Sequence, residues 1–308
     1  MQTFSLAIHG GAGTILKKHM TADKENLYRA GLKQSLEVGY SILKNGGSAI
    51  DAVLAAVTEL ENNELFNAGK GSVFTNTGTH EMDASIMDGG NLGAGAVGAV
   101  RSVKNPIQLA HQVMMHSGHV FLGGEGAIDF ARQQGFEMMP DDYFYSDFRY
   151  DQWQKVKGSD TFHLDHDTPD DKKFGTVGAV ALDASGNLAA ATSTGGMTNK
   201  KFGRIGDTPV IGSGTYAKNS TCAISCTGNG EVFLRTVAAY DVSALMEYRG
   251  MTLNDAMHEV VMNKLKPMDG DGGMIGIDSL GNCSLQFNSA GMYRAYRKSD
   301  GTSEIAIF

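Results

Sequence analysis

The sequence predicts an α+β protein in which two stacked β-sheets lie between layers of helices. Three observations lead to this fold class. Helical patterns occupy an early block, strand-like runs cluster around a central Gly175-Thr176 pair, and helices and then strands follow toward the C-terminus. Because helices and strands occur in blocks, each type of element should form its own layers. No repeat with a period of roughly 20 to 50 residues indicates a solenoid or propeller.

The first block starts with a strand and continues with two helices. The apolar run at residues 3–8 predicts a strand that leads into a glycine loop at residues 9–13. Apolar residues then recur at helical spacing over residues 23–45, and a Gly-Gly pair supplies a C-terminal stop. Ser48 and Asp51 form a capping-box-like pair that predicts the start of a second helix.

The middle of the chain contains strand candidates, one helix and a polar stretch. Weak alternation at residues 72–87 and small residues at 94–100 predict strands, and Asn105-Pro106 opens a helix to about Met115. From residue 141 to residue 174, apolar periodicity is lost and acidic residues accumulate. This composition is equally typical of an exposed linker and of a solvated surface loop.

The second half is predicted to consist of strands, helices and a last hairpin. A polar turn at residues 183–187 joins its first two strands, and a Thr-Gly-Asn-Gly sequence separates its third strand from a helix. The predicted elements are strands at 176–182, 188–192 and 221–226, a helix marked by Phe233 to Ala244, a capped helix from Thr252, and strands at 274–278 and 284–287.

Composition and charge favour a globular protein that acts on small molecules or peptides. The chain has 308 residues, 42% of them hydrophobic, which is ample for a packed core. A net charge of −8 without clusters of Lys and Arg argues against a nucleic-acid partner. No apolar window of about 20 residues predicts a membrane span, so we expect a cytoplasmic protein. Three cysteines without a CxxC pair predict neither a disulfide framework nor a zinc site.

The Gly175-Thr176 pair lies between the polar stretch and the first strand of the second half. A threonine hydroxyl is a poor nucleophile unless a base removes its proton, and one solution uses the α-amine of the same residue. That amine becomes free only when the preceding peptide bond is cut. Alone, the pair is more typical of an ordinary strand start, so its surroundings must decide.

Seven motifs change this interpretation. HGGAG, LFNAGKGSV, EMDASIMDG, GTVGAVALD, TSTGG, GRIGDTP and SCTGNGE occur in this order and together resemble the family of plant-type L-asparaginases and bacterial isoaspartyl peptidases. The resemblance implies the four-layer αββα sandwich of N-terminal-nucleophile (Ntn) hydrolases, formed by one domain over residues 1–308. It also implies autocleavage into an α subunit, residues 1–175, and a β subunit, residues 176–308. The α subunit would end in a flexible linker at about 155–175. Two such αβ units would form a homodimer, as is usual in this family.

The resemblance assigns catalytic roles to four residues. Thr176 would be the nucleophile, its α-amine the base, and Thr194 the hydroxyl that orients it. The Thr227 hydroxyl and the Gly228 amide would form the oxyanion hole. Without the resemblance, Thr194 is equally typical of a buried hydroxyl at the end of a strand. The glycine-rich sequence after Thr227 is then more typical of a turn that caps the next helix.

Four further residues would bind substrate. The resemblance implies that Arg204 binds the α-carboxylate and that Asp207 holds the α-ammonium. The Gly230 carbonyl would help to hold the α-amine, and Asn67 would lie near the nucleophile. Taken alone, an Arg and an Asp three positions apart more often form a surface ion pair.

Autocleavage and a cation site are the remaining implications. The family likeness places His9, Gly10 and Gly11 beside the scissile Gly175-Thr176 bond. It requires no cofactor for catalysis but implies a structural sodium ion. The implied ligands are the main-chain carbonyls of Leu60, Glu61, Asn63, Phe66, Ala68 and Lys70.

The expected function is hydrolysis of L-asparagine and β-aspartyl dipeptides through a covalent aspartyl intermediate on Thr176. Both substrates present the same α-carboxylate and α-amine, so the residues do not rank them. Two alternatives stay open. One is a glycosylasparaginase-like hydrolase, and the other is a non-catalytic amino-acid binding protein that is never cleaved.

Overall fold

The computed structural model describes residues 3–158 and 175–308, and it contains two β-sheets and two groups of helices. The helices are α1 (Ala22–Lys44), α2 (Ala49–Glu61), α3 (Pro106–His116), α4 (Gly124–Gln133), α5 (Asp147–Val156), α6 (Gly230–Thr236), α7 (Ala238–Arg249) and α8 (Leu253–His258). The strands are β1 (Ser5–Gly13), β2 (Met82–Asp88), β3 (Ala94–Val100), β4 (Phe121–Gly123), β5 (Thr176–Leu182), β6 (Leu188–Thr194), β7 (Thr215–Ala217), β8 (Cys222–Gly228), β9 (Gly272–Asp278), β10 (Cys283–Phe287), β11 (Gly291–Lys298) and β12 (Ser303–Ala306).

The larger sheet has eight strands in the order β12-β11-β1-β5-β6-β2-β3-β4. Its neighbours pair antiparallel, except that β4 runs parallel to β3. The smaller sheet has the antiparallel order β10-β9-β8-β7. The chain is therefore an α+β protein, as the sequence predicts.

Both faces of the larger sheet are buried. In β1, Leu6 and Ile8 join one apolar cluster, which also contains the buried faces of α1, α2 and α3. Ala7 points to the opposite face and joins a second cluster with Ile224 of β8 and Ile275 of β9. Since side chains alternate along a strand, Ala7 lies on the same face of β1 as His9, which contacts Ser225 of β8, so this face packs against the smaller sheet. Helices α7 and α8 contribute to that cluster.

Local signals explain several element boundaries. The side chain of Thr21 accepts a hydrogen bond from the Lys24 amide and caps α1, and Ser48 caps α2 in the same way. In the turn between β5 and β6, Asp183 Oδ1 accepts hydrogen bonds from the amides of Ser185 and Asn187. The predicted helices at 23–45 and from Ser48, and the predicted hairpin at 176–192, are thereby confirmed.

Two predictions about irregular segments are wrong. The glycine-rich residues 9–13 are not a loop, because β1 continues through Gly13 with a shift in register between His9 and Gly11. Residues 72–81 form one isolated bridge rather than a strand, and β2 begins only at Met82.

The prediction of an irregular linker or surface loop over residues 141–174 is wrong in its first part, because helix α5 spans Asp147–Val156. This helix is anchored by Trp153, whose ring stacks 5.4 Å from that of Phe74, and by Arg149, whose Nε donates to the Gly71 carbonyl at 2.9 Å. The rest of the predicted linker, residues 159–174, lies outside the described residues.

Other elements carry no signal that the sequence patterns detect. Strands β4, β7, β11 and β12 and helix α4 were not predicted. The segment 233–244, which is predicted as one helix, forms parts of two helices. They are separated by Val237, whose φ of 51° lies in the left-handed region and interrupts the helix. Across residues 3–158 and 175–308, no helix combines the length and hydropathy needed to span a bilayer.

Candidate active site

The hydroxyls of Thr176 and Thr194 meet where β5 begins and β6 ends. The antiparallel register pairs these two residues directly. Thr176 Oγ1 donates to Thr194 Oγ1 at 3.3 Å, and Thr194 Oγ1 donates to the Gly175 carbonyl at 3.1 Å. The Gly196 amide in turn donates to Thr194 Oγ1 at 3.0 Å. Both threonines are buried, and Thr194 Oγ1 contacts both the Thr176 hydroxyl and the carbonyl oxygen of the Gly175-Thr176 peptide bond.

Asn67 holds the backbone on the other side of this pair. Its side-chain amide donates to the Gly196 carbonyl at 2.7 Å, and its Oδ1 accepts from the Val73 amide at 2.9 Å. A Cβ atom on Gly175 would overlap the Cβ of Asn67. Glycine is therefore the residue that allows the segment before Thr176 to lie against Asn67.

His9 contacts the first residue of β5. Its Nδ1 is 3.0 Å from the Thr176 carbonyl oxygen and its Nε2 is 2.9 Å from Ser225 Oγ. Complete burial lowers the pKa of the ring to about 3, against a smaller opposing effect of the hydrogen bond to Thr176, so the imidazole is neutral. Next to it, a Cβ on Gly10 would overlap the Phe66 ring, and Gly11 has φ 111° at the register shift of β1.

Two charged side chains, those of Arg204 and Asp207, lie against Gly230. A Cβ on Gly230 would lie 2.7 Å from Arg204 Nη2 and 2.9 Å from Asp207 Oδ1, so both side chains converge on this glycine. Arg204 binds Glu231 with two hydrogen bonds, at 2.9 Å from Nε and 2.8 Å from Nη2. Glu231 therefore occupies two of the guanidinium donors of Arg204. A second carboxylate that binds Arg204 would have to share these donors with Glu231 or displace it.

Asp207 is the unusual member of this pair. It is buried, and its Oδ2 has no hydrogen-bond partner among the residues that the structure describes. Burial raises the pKa of its carboxyl to about 7, although nearby Arg204 lowers it. A buried acceptor without a partner is costly, and a bound ammonium group would satisfy it.

Thr227 and Gly228 end β8 beside β1. The Ala12 amide donates to Thr227 Oγ1 at 3.3 Å, which leaves the hydroxyl hydrogen of Thr227 for another acceptor. A Cβ on Gly228 would overlap the Asp271 carbonyl oxygen and lie 2.8 Å from Gly272 Cα. The backbone at Gly228 can therefore pass close to its neighbour only because the residue is glycine.

Known proteins resemble this chain over almost its whole length. A family model described as Asparaginase matches residues 1–307. The isoaspartyl peptidase of Salmonella typhimurium is 50% identical over 306 residues, which are 98% of each chain. That of Escherichia coli is 49% identical over 98% of this chain and 95% of its own. A probable isoaspartyl peptidase/L-asparaginase of Arabidopsis thaliana is 40% identical over 100% of both chains.

The chain belongs to the asparaginase family.

In this asparaginase-family chain, most of the site residues that the sequence suggests fall into two groups. In the first group, Thr194 contacts Thr176 and Gly175, His9 contacts the Thr176 carbonyl oxygen, and Asn67 lies against Gly175. In the second group, Arg204 and Asp207 converge on Gly230. Thr227 joins the first group through the adjoining strand β1.

Two buried ionisable side chains near Gly196 and Thr194, those of Lys200 and Asp83, were not predicted from the sequence. Lys200 donates to the Glu81 carbonyl at 2.7 Å, and a Cβ on Gly196 would lie 3.0 Å from its Nζ. Burial lowers the pKa of Lys200, while Asp83 acts in the opposite direction. Asp83 stands opposite Thr194 in the β2–β6 register. Asp83 lies within the EMDASIMDG motif, so the sequence did mark this segment. The motif does not reveal that Asp83 stands opposite Thr194.

The loop that links α2 to residue 71 was suggested as a sodium site of the family. A Cβ on Gly69 would overlap the Glu61 carbonyl oxygen, and one on Gly71 would overlap that of Phe66 and lie 2.6 Å from that of Glu64. Main-chain oxygens thus crowd the inside of this loop, and oxygen donors suit a hard monovalent cation. Among the described residues, no group of three or more His, Cys, Asp or Glu side chains could hold a metal ion. A cation here would therefore depend on carbonyl oxygens.

Four of the six suggested carbonyls also accept backbone hydrogen bonds, at distances of 3.0 to 3.3 Å. Each carbonyl oxygen has a second lone pair, so this is compatible with a cation. The four are those of Leu60, Asn63, Phe66 and Ala68.

Proposed function

We propose that this chain is a self-processing threonine amidohydrolase that cleaves L-asparagine and β-aspartyl dipeptides to L-aspartate. The observation that carries the proposal is the contact of the Thr176 hydroxyl with Thr194, directly after Gly175, in a chain about half identical to two isoaspartyl peptidases. The proposed fold is the four-layer αββα sandwich of Ntn hydrolases, which the two packed sheets and their two groups of helices support.

Self-cleavage would use the hydroxyl of Thr176 as nucleophile on the Gly175 carbonyl carbon. The bond between that carbon and the Thr176 nitrogen breaks as an ester to Thr176 Oγ1 forms, and water then hydrolyses the ester. The Thr194 hydroxyl already donates to the Gly175 oxygen, which polarises this carbonyl. The products are a new C-terminus at Gly175 and a free α-amine on Thr176, which define the subunits 1–175 and 176–308.

In the mature protein, the α-amine of Thr176 would accept the hydroxyl proton. An α-amine has an ordinary pKa of about 7.7 to 8.0, so a useful fraction is unprotonated near neutral pH. Thr176 Oγ1 attacks the side-chain carbonyl of the substrate, the proton passes to the leaving ammonia or amine, and an aspartyl ester forms. Water then releases aspartate and regenerates the hydroxyl.

The other residues would bind the substrate and the charge that develops. Thr227 Oγ1, with its hydrogen free of the Ala12 contact, and the Gly228 amide would stabilise the oxyanion. Arg204 would bind the α-carboxylate, and the unpartnered Oδ2 of Asp207, with the Gly230 carbonyl, would bind the α-ammonium. The α-carboxylate and α-ammonium of an L-aspartyl group are thus opposite in charge to Arg204 and Asp207, which converge on Gly230.

Several further parts of the proposal extend beyond this geometry. A sodium ion would be held by the loop carbonyls of residues 60–70, where it would stabilise the loop that carries Asn67. A homodimer of αβ units, a cytoplasmic location and the absence of a nucleic-acid partner are expected on the grounds given for the sequence.

Thr176→Ala tests the proposal. The variant should remain a single chain and release no aspartate from L-asparagine or β-aspartyl-leucine, because it has no hydroxyl to attack either bond. Thr302→Ala, a change at an exposed threonine in the turn before β12, is the matched control and should be cleaved and active. Denaturing gel electrophoresis and an assay for released aspartate provide the two measurements. Aspartate release by Thr176→Ala at the rate of the control would refute the proposal.

A further inference from the structure

A line of buried side chains crosses the space between the two sheets. It starts at the Thr176 carbonyl oxygen and ends at the Thr208 carbonyl oxygen, and every member between them is fully buried. The members come from five different strands, namely His9 of β1, Ser225 of β8, Thr192 of β6, Thr215 of β7 and Ser85 of β2. The contacts along the line are Thr176 O to His9 Nδ1 at 3.0 Å, His9 Nε2 to Ser225 Oγ at 2.9 Å, Ser225 to Thr192 at 2.7 Å, Thr192 to Thr215 at 2.6 Å, Thr215 to Ser85 at 2.7 Å, and Ser85 to Thr208 O at 2.6 Å.

These contacts outnumber the hydrogens that can occupy them. Six contacts need six hydrogens, because a carbonyl oxygen at each end can only accept. Each hydroxyl supplies one hydrogen and a neutral imidazole supplies one, which gives five. His9 is neutral because it is completely buried and its ring nitrogens contact only uncharged groups, Thr176 O and Ser225 Oγ, among the described residues. Two longer contacts at 3.4 Å, Thr192 to Gly214 O and Thr215 to Thr208 O, add acceptors but no hydrogens.

One contact therefore always lacks a hydrogen, and its place depends on the tautomer of His9. With hydrogen on Nδ1, the ring donates to Thr176 O, and every hydroxyl can point toward the ring. Ser85 then has no hydrogen left for Thr208 O. With hydrogen on Nε2, every hydroxyl points the other way, so that Thr208 O is satisfied and Thr176 O is not. Intermediate arrangements leave the gap between two hydroxyls.

The two ends of the line lie at the two halves of the active site. Thr176 is the proposed nucleophile, and Thr208 directly follows Asp207, the proposed ammonium-binding residue. We propose that His9, Ser225, Thr192, Thr215 and Ser85 are positioning residues that form a hydrogen-bond network, one hydrogen short, coupling the nucleophile strand to the substrate-binding segment. The roles given to the two ends, Thr176 and Thr208, rest on the proposed function. The count of hydrogens and contacts is independent of that function.

The hydrogen count predicts an unusual result for Thr192→Val. This nearly isosteric change cuts the line into two parts, and each part has as many hydrogens as contacts. The unfolding midpoint should therefore stay the same or rise. Ser35→Ala is the control, since fully buried Ser35 donates an uncontested hydrogen bond to the Ala56 carbonyl at 2.8 Å. Loss of that bond should lower the midpoint by about 2 °C. Thr215→Val also divides the line into two complete parts and should behave as Thr192→Val does.

The coupling is tested by nitrogen-15 NMR of the histidine rings, with the His9 signals identified by their loss in His9→Gln. Added L-aspartate should shift both ring-nitrogen signals of His9 in the unmodified protein, and this shift should be absent in Thr192→Val and Thr215→Val. An equal shift in these variants, no shift in the unmodified protein, or a midpoint loss in both variants matching that of Ser35→Ala would overturn the proposal. Failure of the proposed function would be distinct, since it would appear as no binding of L-aspartate by calorimetry, and the stability comparison would still decide the hydrogen count.

Discussion

At the scale of single residues, the site combines groups that water would normally solvate. Asp207 has an unpartnered oxygen, and Arg204 is bound to a glutamate that a substrate could replace. Motifs in the sequence indicated both residues, because their family likeness is specific. The Glu231 contact and the line of hydroxyls from His9 were not predicted, since both depend on which strands become neighbours.

Arg204→Ala should raise KM for L-asparagine about tenfold or more and leave self-cleavage intact. A charge-assisted, two-pronged hydrogen bond to the α-carboxylate is worth about 1.5–3 kcal/mol, and Arg204 contacts neither Thr176 nor Gly175 in the structure. Arg132→Ala, which removes an exposed arginine paired with Asp129, is the control and should leave KM unchanged. Steady-state kinetics and a denaturing gel measure the two effects. An unchanged KM in Arg204→Ala would remove this residue from the substrate site.

Asp207→Asn should stabilise the protein more at pH 8 than at pH 5. Because burial raises the folded-state pKa of Asp207 to about 7, the folded protein binds this proton more tightly than the unfolded chain, in which the carboxyl has its ordinary pKa of 3.8. The stability that this protonation supplies is fully present below the unfolded pKa and is lost as the pH rises through about 7. Asparagine carries no charge, so the gain between pH 5 and pH 8 should reach about 2–3 kcal/mol.

Urea unfolding of Asp207→Asn and of the unmodified protein at both pH values measures this difference. Equal gains at pH 5 and pH 8 would show that Asp207 is ionised in the folded protein throughout this range, with a satisfied oxygen.

At the scale of elements, patterns predicted regular helices and the central hairpin but not the elements with few residues. Helix α1 has a capping threonine and a long apolar stripe, and the β5–β6 turn has an aspartate that accepts from two amides. Strand β4 has three residues and no buried position, so it has no alternation to detect. Helix α5 has two buried residues, Arg149 and Trp153, and one of these is charged.

Glu61 joins α2 to β6 and to α3. Its Oε1 accepts from Ser193 Oγ at 2.6 Å and from the Ile107 amide at 2.9 Å. Burial raises the pKa of its carboxyl to about 8, so it is largely protonated near neutral pH. Since Ser193 precedes Thr194, this contact also fixes the strand that carries the second site threonine.

Substitutions of Glu61 should follow from these contacts. Glu61→Gln keeps an acceptor oxygen without a charge and should change the free energy of unfolding by less than about 1 kcal/mol. Glu61→Ala leaves two buried donors unpaired and should lower it by about 2–4 kcal/mol. Glu125→Ala, at an exposed glutamate of α4, is the control and should have no measurable effect. Thermal or urea unfolding distinguishes these variants, and equal stability of Glu61→Ala and the control would contradict the role of this contact.

At the scale of the whole molecule, the packing of the two sheets creates the site. Strands β5 and β6 supply Thr176 and Thr194 from the larger sheet, and β8 of the smaller sheet supplies Thr227. The block order of helices and strands was enough to predict two stacked sheets. It could not give the strand order, since β1 pairs with β11 and β5, which are far from it in the sequence. Long-range pairing of this kind leaves no local pattern.

The central claim is that the amino group of Thr176 becomes the base only after the chain is cut. Intact-mass spectrometry of one preparation, followed through time beside its rate of aspartate release, tests this most directly. We expect two masses, those of residues 1–175 and 176–308, and a rate of aspartate release that rises in proportion to the amount of these two fragments. Full activity from a preparation that contains only the uncut 308-residue chain would contradict it.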